Sequence, residues 1–246
     1  MNFLKSPYIA KGNTVNFLDD DSEELYANNL KSKPINWKYR HNNFSYELNS
    51  NSYRTKEFSK IDWNNSIVIF GCSITFGLGV SEEDTISSQL YKLSGIPTVN
   101  MGFPGSSSQL SLYNSAILKE NGITPKAIVF EWSHASRCTL FMNPPHTKND
   151  FFVINCGDWN NDISGLGKAW SKYESNINMH IKMTRLIAKN LWSSTQYTDF
   201  TLFKANKKYI NDCKYIDQID NGRDCSHPGE LTYKNCAIYI AQSLKL

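Results

Sequence analysis

Ile67-Val68-Ile69-Phe70 is an unbroken run of β-branched and aromatic side chains that ends on Gly71. A strand with one wet face alternates apolar and polar residues. An unbroken run requires burial on both faces, hence layers above and below the sheet. The chain after it fits that demand. Ser81 offers a helix cap, Glu82, Glu83 and Asp84 favour the positive end of a helix, Ile86, Leu90 and Leu93 share a face, and Gly95 ends it. A second cycle follows, with a strand at Pro97 to Asn100, a Gly-rich turn from Met101 to Ser107 and a helix from Leu110 to Leu118. Lys126 to Trp132 is a third strand. Strand, loop and helix repeated at this spacing predict a parallel sheet with helices on both faces.

Elsewhere the pattern is less regular. The stretch from about Leu140 to Ser175 reads as irregular and aromatic, broken at Asn143-Pro144-Pro145-His146, with Trp159 and Trp170 as lid or core aromatics or, alternatively, a sugar platform. Met179 to Leu191 suits an amphipathic helix, and Glu230 to Leu244 a second, with Leu231, Ala237 and Ile240 inward. Residues 1–60 differ from the rest: Lys33-Pro34, Asn42-Asn43 and Asn49 to Ser52 are turn chemistry between short alternating pieces such as Phe44 to Leu48. They predict loops with a short strand or two, packed as an extension on a main domain of residues 61–246.

Composition excludes several classes. Of 246 residues, 26 are basic and 23 acidic, a net charge of +3, and the basic ones are mostly scattered singly. A nucleic-acid partner is disfavoured. No apolar run reaches the roughly 18 residues of a membrane span, and the N-terminus lacks signal-peptide architecture. The six cysteines are spread without a Cys-x-x-Cys pair. That usage predicts reduced thiols in a cytoplasmic protein, with no disulfide framework and no metal site.

In open α/β sheets ligands sit at the carboxyl ends of the strands. Ser73 follows the first strand directly; it reads either as an exposed hydroxyl at the sheet edge or as a helix-capping turn serine. Asn100 to Ser108 follows the second strand, and a glycine there either lends an unobstructed N–H to an oxyanion or serves an ordinary turn. Asp224-Cys225-Ser226-His227-Pro228 precedes the last helix. There an Asp three residues before a His can orient the imidazole as a general base, or the loop is plain solvated surface.

Together, and in this order, Gly-x-Ser-x-Thr, Asn-x-Gly-x-x-Gly and Asp-x-x-His-Pro resemble the SGNH hydrolase superfamily, the GDSL-type esterases and lipases. The resemblance spans about Ile67 to Leu244. It implies a three-layer α/β/α sandwich around a parallel sheet of about five strands, flavodoxin-like in outline. It implies a serine hydrolase that cleaves a carboxylic ester of a small molecule or glycan, such as an O-acetyl group on a carbohydrate, without metal or cofactor. Carried over block by block, Ser73 is the nucleophile, Asp224 and His227 complete the triad, and the N–H groups of Ser73 and Gly105 hold the oxyanion.

The chain departs from the family pattern twice. Cys72 stands where the name motif has Asp, and Cys72 is itself a rival thiol nucleophile. After the third strand the chain reads Glu131-Trp132-Ser133-His134-Ala135-Ser136-Arg137, without the Asn that should complete the oxyanion hole. Ser133 and His134 are the substitute donors, Arg137 a contact for an anionic substrate group, and Glu131 either structural or a neighbour that tunes His134. The alternative function is a weakened module of the same fold that binds a glycan or protein without cleaving it.

Overall fold

The computed structural model describes residues 3, 14–18, 20–41, 44–141, 151–155, 165 and 174–246. The N-terminal part contributes strand β1 (Thr14–Val15), helix α1 (Glu23–Ser32) and strand β2 (Tyr46–Glu47), with β1 and β2 antiparallel. Helix α1 has its signals in the sequence. The Ser22 hydroxyl accepts the Leu25 amide at 3.1 Å, Glu23 and Glu24 lie at the positive end, and Lys31 lies at the other.

The main domain is built on β3 (Ile67–Gly71), β4 (Thr98–Gly102), β5 (Ala127–Glu131), β8 (Gln196–Thr201) and β9 (Lys214–Tyr215). They form one five-stranded, wholly parallel sheet in the order β4-β3-β5-β8-β9. Strands β6 (Arg137–Phe141) and β7 (Phe151–Asn155) form a separate antiparallel pair, regular structure where the sequence had predicted none. The break at Asn143 to His146, and Trp159 and Trp170, lie outside the described residues.

All five residues of β3, which leads into the one-turn helix α2 (Ser73–Phe76), are buried, and their alternation divides them between two cores. Val68 and Phe70 face a layer holding Leu110 and Leu118 of α4 (Ser108–Glu120) with Ile181 and Ala188 of α5 (Glu174–Leu191). Ile67 and Ile69 face Ile86 and Leu90 of α3 (Ile86–Ser94) and Tyr233, Ala237 and Ile240 of α6 (Glu230–Leu244). This is the α/β/α sandwich that the unbroken run required. A third cluster joins Leu18, Tyr46 and Leu48 of the N-terminal part to Phe76 and Leu78. No helix among the described residues is long and apolar enough to cross a membrane.

Two helix details differ from expectation. Thr85, not Ser81, caps α3, because Glu82–Asp84 forms its own tight turn and the Ser81 hydroxyl turns to Asp84. Leu231 is exposed, since it sits two residues, about 200° of helix, from the inward stripe through Tyr233.

Candidate active site

At its carboxyl end β3 runs straight into a single helical turn, Ser73–Phe76, closed by Gly77 in the left-handed region at φ 81°. Gly71 is required by crowding: a Cβ there would lie 2.1 Å from Thr75 Oγ1 and 2.6 Å from Glu131 Oε2. Ser73 is thereby fixed as the first residue of the turn, at the sheet's carboxyl edge.

Across from it, the loop before α6 folds back on itself. Gly222 N–H donates to His227 O at 2.8 Å, Cys225 takes a positive φ of 63°, and Asn221 bridges Pro228. Asp220 finishes the bend by accepting the Leu231 and Thr232 amides, both at 2.9 Å, at the open end of α6. Asp220 lies ten residues before α6 begins, so its place at that helix end has no local signal in the sequence.

The two loops meet. His227 Nε2 lies 2.9 Å from Ser73 Oγ, and His227 Nδ1 lies 2.5 Å from Asp224 Oδ2. Asp224 is buried and also accepts the Ser226 hydroxyl at 2.7 Å and the His227 amide at 3.1 Å. Burial pushes its carboxyl up, but the hydrogen bonds from His227 and Ser226 outweigh that and hold it below the usual carboxylate range. An anionic Asp224 on Nδ1 keeps the proton there and leaves Nε2 as the acceptor facing Ser73.

The second block is tied to the same turn. Asn100 Oδ1 accepts the Gly102 amide at 2.9 Å, and Gly102 packs so closely on the Ser73 turn that a Cβ would meet Phe76 N at 2.2 Å. Gly105 is different: it is exposed, with φ 72° and open space where a Cβ would stand, so conformation alone asks for glycine. The adjoining Ser106 hydroxyl donates to Gly71 O at 3.3 Å.

The third-block side chains have partners of their own. Ser133 Oγ donates to Ser106 O at 2.7 Å, so its single proton is spent away from Ser73. The His134 ring pairs through Nδ1 with Ser136 Oγ at 2.6 Å and meets Phe203 edge-on. Burial and then the Arg137 charge lower its pKa. Among the described residues, His227 is the side chain that the Ser73 hydroxyl pairs with, and neither Ser133 nor His134 is brought to it. Arg137 Nη1 reaches Ser106 O and Ser133 Oγ, each at 3.4 Å, with its guanidinium over Phe203. No carboxylate among the described residues is in ion-pair range of Arg137.

Of the two roles open to Glu131, its contacts are those of the structural one. It is fully buried, and Oε2 accepts the Cys72 amide at 3.0 Å, the Cys72 thiol at 3.2 Å and the Thr75 hydroxyl at 3.4 Å, while Oε1 has no partner among the described residues. It braces the Ser73 turn rather than His134, and burial raises its pKa. The Cys72 thiol is pushed up to about 12 by burial and by Glu131, which removes it as a thiolate nucleophile. A cavity of about 390 Å3 lies elsewhere, lined by Arg54, Lys60, Tyr91 and Thr98 among others. None of Ser73, Asp224 or His227 lines it, so the hydroxyl–imidazole–carboxylate geometry locates the site and cavity size does not.

No protein-family model and no curated protein matches the chain. Among solved structures it is similar to a member of the lipolytic protein G-D-S-L family from Veillonella parvula DSM 2008, with 15% identity, 72% of this chain and 96% of that one covered, and a TM-score of 0.41. It is also similar to a carbohydrate esterase family 2 enzyme with a carbohydrate binding domain from Corynascus thermopiles (Myceliophthora fergusii), at 13% identity, 74% and 67% coverage and a TM-score of 0.44. An acetyl xylan esterase, Est2A, from the rumen bacterium Butyrivibrio proteoclasticus gives 14%, 75%, 64% and 0.42. At these identities and scores the likenesses carry no function across, and the chemistry rests on this chain's own side chains.

Proposed function

We propose that the protein is a serine hydrolase of the SGNH type that cleaves a carboxylic ester. The observation that carries this reading is the continuous line from Ser73 Oγ through both ring nitrogens of His227 to buried Asp224. Ser73 Oγ attacks the ester carbonyl carbon while His227 Nε2 takes its proton. Asp224 holds Nδ1–H and stabilises the imidazolium that forms. The carbonyl oxygen becomes an oxyanion, held by the N–H groups of Ser73 and Gly105. His227 then returns the proton to the leaving alkoxide, and the acyl group remains on Ser73. Water, deprotonated by His227, attacks the acyl-enzyme and releases the acid.

Arg137 contributes to substrate binding in this reading. A partly buried guanidinium with no carboxylate in ion-pair range among the described residues suits an ester that carries an anionic group. The substrate class to test first is O-acetylated carbohydrate, against simple aryl esters of increasing acyl length. Hydrolysis by the wild type, lost in Ser73→Ala and in His227→Ala, supports the enzyme reading.

One observation favours a second reading, a module that binds a glycan or protein without cleaving it. Ser133 is committed to Ser106, and His134 is turned to Ser136, so the third block brings no side-chain donor to Ser73. Losing one oxyanion donor costs on the order of 3 kcal/mol in a hydrolase. Glycan binding by a wild type that hydrolyses none of these esters would decide for this alternative.

A further inference from the structure

A closed ring of hydrogen bonds links the Ser73 turn to the loop of Asp224 and His227, and it passes through the N-terminal part. The Gly79 amide donates to Tyr46 Oη at 2.9 Å, and the Tyr46 hydroxyl donates to Asp21 Oδ2. Asp21 accepts the Arg223 guanidinium through Nη2 at 2.7 Å and Nε at 3.1 Å. The Arg223 amide closes the ring on Gly79 O at 2.6 Å. Gly79 follows the Ser73 turn, and Arg223 precedes Asp224. At Gly79, φ is 82° and a Cβ would stand 2.8 Å from Asp224 Oδ1, so the two loops touch where the ring closes.

Every member is withdrawn from water: Asp21 and Tyr46 are 0% exposed and Arg223 1%. The Arg223 guanidinium also donates to Asn16 O at 2.7 Å and Phe44 O at 3.2 Å, and lies over Phe44 and Phe17 at 4.0 and 4.6 Å. Asn29 Nδ2 holds the Arg223 carbonyl at 3.0 Å. On the other loop Arg54 donates to Gly77 O at 2.6 Å and Val80 O at 3.0 Å. A buried ion pair is a poor route to stability, because an apolar pair of the same shape often serves as well. What it adds is a fixed direction between two main-chain segments.

We propose that Asp21 and Tyr46 are positioning residues. They set the separation of the Ser73 turn from the Asp224–His227 loop, and so the Ser73–His227 hydrogen bond. The catalytic consequence rests on the ester-hydrolase reading; the geometric consequence does not, and the test separates them. Tyr46→Phe keeps the buried ring and deletes the bridging hydroxyl. Asp21→Asn keeps the shape and deletes the charge. Thr198→Val serves as a control, since it deletes a buried hydroxyl bonded to Ser243 at 2.7 Å away from both loops.

In the full chain, both ring variants should lower kcat by about tenfold to a hundredfold, as for a small misplacement of reacting groups, with KM within about threefold. The NMR signal of the His227 Nδ1 proton should shift or broaden in both, and Thr198→Val should change neither quantity. Unchanged kcat and an unchanged His227 signal in folded ring variants would overturn the proposal. If the wild type hydrolyses no ester, the hydrolase reading fails and the His227 signal alone judges the positioning. If neither variant folds, hydrogen exchange in the wild type decides: common strong protection of the Gly79 and Arg223 amides supports the ring, and free-loop rates overturn it.

Discussion

Glu131 Oε2 stands 3.0 Å from the Cys72 amide nitrogen and 3.2 Å from the Cys72 sulfur, bracing from β5 the turn that presents Ser73. A buried amide without an acceptor is costly, so this carboxyl is part of the turn's construction. Glu131→Ala should lose about 1–3 kcal/mol of stability, read as a lower urea midpoint at unchanged slope. Glu131→Gln keeps a carbonyl oxygen for the Cys72 amide and should lose less than half as much. Equal losses would show that the charge, not the acceptor, matters.

Asp224 carries a pH dependence of definite sign. Its folded-state pKa lies below the ordinary value, so it adds stability above the unfolded carboxylate's pKa, lost as pH falls through the folded value. Unfolding midpoints of the wild type and Asp224→Asn should therefore differ most near neutral pH. The gap should narrow on acidification below the usual carboxylate range. A gap that widens in acid would reverse the sign assigned here.

The block residues were legible because each stands beside a regular element, Ser73 and Gly105 just past a strand and Asp224 and His227 just ahead of the last helix. The β3 run was legible because no polar residue interrupts it. Strand β8 was not, since Tyr197-Thr198-Asp199 looks polar. Its Asp199 is buried against Arg185 Nε at 2.6 Å and Trp132 Nε1 at 3.0 Å, partners that local pattern cannot announce. Asp21 and Arg223 lie 202 residues apart, so the brace across the site had no local signal. Helix α1 is the opposite case: its Ser22 cap and acidic first turn are local signals of a helix in a stretch whose turn residues read as loops. For Ser133 and His134 chain position gives the neighbourhood, while the partner of each side chain, the Ser106 carbonyl for the Ser133 hydroxyl, lies far off in sequence or in rotamer choice.

Because the His134 ring is directed to Ser136 and Phe203, His134→Ala should keep kcat within about threefold of wild type on an ester whose chemical step is rate-limiting. A fall of a hundredfold or more, the size of one lost oxyanion donor, would place that ring in the oxyanion hole after all.

Arg137→Gln should raise KM for an ester bearing a carboxylate by about tenfold, in line with the loss of a charged hydrogen bond, and leave KM for a neutral ester of the same acyl group within about twofold. Equal effects on both esters would assign Arg137 to holding the Ser106 loop instead of the substrate.

The central claim is that Ser73, activated by His227 and Asp224, is the nucleophile. Fluorophosphonate labelling followed by peptide mapping tests it most directly, because the reagent reports the activated serine without knowledge of the natural ester. Ser73 should carry the adduct, and labelling should vanish in Ser73→Ala and fall sharply in His227→Ala. An adduct on Ser106, Ser107 or Cys72, or labelling that persists in Ser73→Ala, would contradict the account.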